Sequence, residues 1–103
     1  MMKFFAALVA LTAIVGAPEM ACAADAAHGE TMARRWCAAC HIVAADQTSG
    51  NTQSPPFSAI AKKPGFDAAQ LALFLLAPHP QMPDMGFSRS EAADLAAYIA
   101  SQK

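Results

Sequence analysis

The run Cys37-Ala38-Ala39-Cys40-His41 constrains this chain more than any other feature. Cysteines three apart lie one turn apart on a helix, and His41 follows four residues after Cys37 on the same stripe. Two thiols and an imidazole are therefore presented together, in the C-x-x-C-H arrangement by which haem is attached covalently. Each sulfur can form a thioether to a porphyrin vinyl group, while the imidazole reaches the iron from the proximal side. A chain with that attachment folds around a flat apolar body as well as around its own side chains.

The N-terminus supplies the compartment. Lys3 is followed by the uncharged stretch Phe4 to Ala17, then Pro18-Glu19, then Ala21-Cys22-Ala23. A charged start, an apolar centre and a small-x-small site form the layout of a secretory signal peptide. The apolar stretch falls short of the ~20 residues that span a bilayer, so no stable membrane insertion is expected after cleavage. Glu19 stands where a lipoprotein signal wants an apolar residue. Residues 1–23 are thus read as a signal and residues 24–103 as one domain. Cleavage after Ala23 removes Cys22 from the three cysteines, leaving only the pair in the motif. No unpaired thiol then remains in an exported protein. In bacteria the destination is the periplasm, an oxidising compartment in which c-type haem is attached.

Charge excludes one large class of partner. The formal net charge is −1, and losing Lys3 together with Glu19 leaves it unchanged. A nucleic-acid footprint needs clustered excess Lys and Arg, which this chain lacks. A domain this short is also near the size at which a core is marginal without a staple or cofactor. Small size therefore agrees with a buried porphyrin.

The remaining pattern is helical. Asp25 is a candidate N-cap for a helix running through Gly29, Met32 and Trp36 to the cysteines, with Met32 and Trp36 on one face. Trp36 is expected in the core and His28 in solvent. Ile42 to Pro56 is polar and turn-forming, with Ser49-Gly50-Asn51 and the tandem Pro55-Pro56, and a short helical turn is expected over 57–61. Lys62-Lys63-Pro64-Gly65 breaks the chain in what reads as a solvated turn, with a docking surface for an acidic partner as the other reading. Asp67 then caps a helix from Ala68 to about Leu76, on which Leu71, Phe74 and Leu75 form one stripe. Three prolines within Pro78 to Pro83 forbid regular structure there. Ser88-Arg89-Ser90-Glu91 is a capping box that opens a last helix through Leu95, Tyr98 and Ile99.

A sixth iron ligand is sought in the Pro-rich loop. A soft thioether there closes the iron to substrates and raises its potential. Met82 is bracketed by Pro80 and Pro83, which lower the entropy cost of holding a weak bond. Met85 is the other thioether, and His79 would give bis-histidine ligation. Methionines also fill core gaps, which is their commoner role. Pro55 is a candidate to present a carbonyl to the His41 ring N–H, a contact that fixes the ring; a plain turn proline is the alternative.

With these residues assembled, the chain resembles the small soluble class I cytochromes c of the bacterial periplasm. The likeness covers residues 25–103. It rests on Gly29 and Met32 ahead of Trp36-Cys37-Ala38-Ala39-Cys40-His41, on Pro55 with Phe57, and on Met82-Pro83. Ser88-Arg89-Ser90-Glu91 leading to Asp94-Leu95-Ala96-Ala97-Tyr98-Ile99 completes it. The resemblance implies an all-α cytochrome c fold, three main helices plus long loops wrapped around one haem c. It implies thioethers at Cys37 and Cys40, axial ligation by His41 and Met82, and a carbonyl from Pro55 or Pro56 near the proximal imidazole. In that family the first and last helices cross near Gly29 and Tyr98. The implied function is that of an electron carrier, not an enzyme, working as a monomer between redox protein partners. A gas-binding or peroxidatic haem protein with a labile distal ligand is the alternative reading. A redox-active Cys37–Cys40 disulfide would need strands around the helix, and a zinc site would need a second pair of ligands. Neither is visible.

If the signal is read correctly, the mature protein begins at Ala24. N-terminal sequencing of protein recovered from the periplasm checks this, and a start elsewhere, or an intact residue 1, refutes it.

Overall fold

Side-chain caps set where three of the helices begin. In this computed structural model, which describes residues 12, 16, 23–77 and 81–103, the Asp25 carboxylate accepts the His28 amide and starts α1, Ala26–Met32. Asp67 accepts the Gln70 amide and starts α3, Ala68–Leu76. Ser88 and Glu91 satisfy each other's backbone amides in a capping box that opens α4, Arg89–Ala100. Each cap gives a partner to amides that no helical carbonyl can reach. The short α2, Phe57–Ala61, follows Pro56, whose fixed φ suits the entry to a helix. No strand is present among the described residues, so the all-α architecture read from the sequence is the one observed. Apart from positions 12, 16 and 23, the segment read as a signal lies outside the described residues, as do Cys22 and His79.

The first helix does not run to the cysteines as a uniform α-helix. Its last turn, Ala33–Cys37, is π-helical, with the Ala38 amide donating to the Ala33 carbonyl five residues back. In so wide a turn, residues four apart no longer stack. That corrects the expectation for Trp36. Met32 is buried in the core, whereas Trp36 is 50% exposed, with the Arg35 guanidinium 4.9 Å from its ring centroid. A π-turn leaves little trace in composition, and tertiary packing decides it.

The core sits where α1 crosses α4. Met32, Ala33, Val43, Phe57, Leu95, Tyr98 and Ile99 form one buried cluster. At the crossing Gly29 is buried. A Cβ added there would overlap the Asp94 carbonyl and come within 2.9 Å of Tyr98 Cβ. The absence of a side chain is what lets the two backbones meet. Tyr98 then reaches past the crossing, and its hydroxyl donates to the Val43 carbonyl at 2.7 Å. That bond ties α4 to the loop after the cysteine motif. Burial pushes the Tyr98 phenol above its ordinary range, so it stays a donor at neutral pH.

A polar clasp closes the same junction from outside. The Asp94 carboxylate accepts the Asp25 amide at 2.7 Å and His28 Nδ1–H at 2.8 Å. His28 is exposed, as the sequence reading expected, and its ring is also paired with α4. These bonds hold Asp94 below the usual carboxylate range, the Asp25 amide contributing most and His28 next. The capping box does the same for Glu91 through Ser88.

Two outcomes are expected. Alanine at position 29 gains up to ~1 kcal/mol of helix propensity. Overpacking costs typically ~1–3 kcal/mol, and here the obstacle is a backbone carbonyl that cannot rotate away. Gly29→Ala should therefore lower the melting temperature by several degrees, roughly 4–8 °C per kcal/mol for a domain this size. A melting curve that is unchanged or raised would show that the helices can part without loss. The depressed Asp94 and Glu91 carboxyls add stability above pH ~4, where the unfolded groups are also ionised. As pH falls through that range the unfolded chain takes up protons first, and the contribution is lost once the folded groups titrate. Asp94→Asn should therefore unfold at lower urea at pH 7 and show a shallower loss between pH 5 and pH 3. An acid limb as steep as the parent's would count against the clasp.

Candidate functional site

The apolar stripe of α3 contains no fully buried residue, although the helix packs against α4. Leu71, Phe74 and Leu75 instead line one wall of a cavity of about 880 Å³. Phe57, Leu95 and Ile99 bring the edge of the core to another wall. Trp36, Cys37, Cys40 and His41 enter from the end of the first helix, and Met82, Met85 and Phe87 from the loop before α4. The candidate residues Cys37, Cys40, His41, Pro55 and Met82 therefore all line one space, although 45 positions separate Cys37 from Met82.

Donors and apolar walls together fit a haem. The volume and lining suit a large flat apolar group. Cys37 and Cys40 are both free thiols. Burial, with a smaller contribution from Cys40, pushes the Cys37 thiol up to about 11. The imidazole is oriented from one side only. His41 Nδ1–H donates to the Pro55 carbonyl at 2.7 Å, and the unprotonated lone pair is left on Nε2. Of the tandem prolines, Pro55 presents the carbonyl while Pro56 precedes α2. Phe57 packs beside the imidazole with ring centroids 5.4 Å apart, and its other side meets Tyr98 edge-on at 6.3 Å. The ring of His41 is thereby joined to the α1–α4 core through two aromatic contacts.

The loop after the motif is held by an accounting of its carbonyls. Cys37 receives the amides of Cys40 and His41, Cys40 receives that of Asn51 at 2.7 Å, and Ile42 receives that of Phe57 at 2.9 Å. The carbonyls of Ala38 and His41 are met by one side chain, the Gln47 amide, at 3.0 and 2.7 Å. A glutamine in a polar loop has no sequence signal that separates it from Gln53 six residues later. Lys63 also lines the cavity, within a turn whose residues 62–65 are all exposed, as the sequence reading expected.

The two methionines differ in setting. Met82 is half-buried in the cavity wall. Met85 is 36% exposed, within a turn where the Gly86 amide donates to Asp84 Oδ1 and Gly86 takes φ of 64°. Both thioethers line the same cavity.

No family profile matches the chain, and no solved structure matches it. Over 89 residues it is 48% identical to cytochrome c-552 of Bradyrhizobium diazoefficiens, spanning 86% of each chain.

Proposed function

The chain belongs to the small class I c-type cytochromes, and from that premise we propose a periplasmic monohaem carrier of single electrons, ligated by His41 and Met82. The observation that carries the proposal is the cavity on which both thiols, the Nε2 side of His41 and the thioether of Met82 converge. When bound, the haem supplies an iron that cycles between ferric and ferrous states by one electron.

The protein's work is to hold and tune that group. Cys37 and Cys40 would hold it through thioether bonds, so it cannot dissociate between partners. Pro55 keeps the His41 tautomer in which Nε2 is the ligating atom. Phe57, Leu71, Leu75 and Ile99 exclude water from one side, and an apolar surround favours the less charged state of the site. Met82 contributes a soft sulfur, which favours ferrous iron and raises the potential. Its place between Pro80 and Pro83 in the sequence supports it over Met85 as the ligand.

Export remains part of the proposal, with residues 1–23 as a signal and 24–103 as the haem domain. The cap at Asp25 lies just inside that boundary, so cleavage after Ala23 spares the first helix. Among the described residues, no helix is long and apolar enough to cross a membrane. The partners are single-electron redox proteins, met one at a time by a monomer.

Paired variants test the ligand set. Met82→Ala should abolish the thioether-to-iron absorption of the oxidised protein and lower its midpoint potential, while Met85→Ala should do neither. The reverse pattern would transfer the ligand role to Met85. Loss in neither variant would remove methionine ligation altogether.

A further inference from the structure

We infer that Gln47 is a positioning residue for His41, aiming its imidazole by clamping the backbone on which it stands. The inference rests on the proposed ligation by His41 and extends it to a residue outside the motif. Helices commonly end in a left-handed glycine that turns the chain and gathers the last carbonyls. Here the only positive-φ residues among those described are Gly65 and Gly86, both far from the end of the first helix. The Cys37 carbonyl at the helix end takes the amides of Cys40 and His41. The carbonyls of the turn beyond it, those of Ala38 and His41, are left for some other group to meet, because an orphaned one costs free energy when shielded from water.

Gln47 is that group. Its Nε2 donates to the carbonyls of Ala38 at 3.0 Å, His41 at 2.7 Å and Ser49 at 2.9 Å. Its Oε1 accepts the Val43 amide at 3.0 Å. A primary amide has two N–H donors, so three acceptors share them and the side chain is fully committed. It is also half-buried, which limits the water that could replace it. His41 is consequently gripped at both ends. Pro55 holds the ring at Nδ1 while Gln47 holds the carbonyl of the same residue. Between those points lie only the side-chain torsions of His41 and its Cα–C bond, so a shift of the backbone would tilt the ring or stretch its bond to Pro55.

The experiment uses the reduced holoprotein, followed by proton NMR, in wild type, Gln47→Met, Gln47→Glu and a control, Gln102→Met. Gln102 bonds to Ser101 at the chain's end, away from the cavity. The exchange rate of the His41 Nδ1 proton should rise about tenfold in Gln47→Met, the size of one lost hydrogen bond. Gln47→Glu should be at least as severe, since it turns an oxygen on the same carbonyls. Both should also shift the His41 ring resonances, and Gln102→Met should do neither. A Gln47→Met protein that melts earlier yet keeps the parental exchange rate and shifts would make Gln47 a structural loop cap only, overturning the inference. The wild type gives a reading that does not depend on variants maturing. Gln47 side-chain amide protons should exchange more slowly than those of Gln102, and equal rates would overturn the clamp. If the His41 ring shows no ring-current shift in wild type, ligation by His41 fails and the clamp's role fails with it.

Discussion

Everything in this fold hangs from the contact at Gly29, where the backbone of the first helix touches the backbone of the last. That approach is possible only without a Cβ, and it fixes where Tyr98 and Asp94 stand. Tyr98 then anchors Val43 in the loop beyond the cysteines, and Asp94 gathers Asp25 and His28 at the helix entrance. Helices α2 and α3 both pack against α4, so the platform set by the crossing carries them too. A small domain has few independent contacts, and one close approach can govern most of them.

The apolar residues divide into two populations that the composition does not distinguish. Met32, Ala33 and Val43 belong to the core alone, and Leu95 and Ile99 are buried yet also line the cavity. Leu71, Phe74, Leu75 and Trp36 face the cavity instead. Phe57 belongs to both, buried against Tyr98 while its ring flanks His41. Through it the imidazole is joined to the buried core. With His41 as the proposed ligand of an electron carrier this matters physically, because a ligand held in one geometry has little to rearrange when the charge on iron changes.

Polar contacts do complementary work around that frame. The surface network of Arg34 with Glu30 and Asp46 joins the first helix to the following loop, with all partners well exposed. Such exposed pairs contribute little each. The part-buried bonds of Gln47 to Ala38 and His41 lie where water competes less, and the Pro55–His41 bond stands beside them. Orientation of the imidazole is thus assigned to hydrogen bonds, and attachment of the whole group to covalent chemistry.

Much of this was legible in order. The cysteine-histidine spacing picked out residues that line one cavity, and the caps at Asp25, Asp67 and Ser88 predicted helix starts that the structure reproduces. Those signals are local: a cap, a turn of helix and a motif each act over four or five residues, so the amino-acid order alone determines them. Other features depend on neighbours distant in the chain. Nothing near Trp36 announces the π-turn that moves it from core to cavity wall, and nothing near His28 announces Asp94 across the crossing. Gln47 looks like any loop glutamine until the carbonyls of Ala38, His41 and Ser49 converge on it. The sequence by itself determined the helices and the chemistry they carry. Only the tertiary structure decided which apolar faces meet protein and which line the cavity, because burial is set by what lies opposite in space.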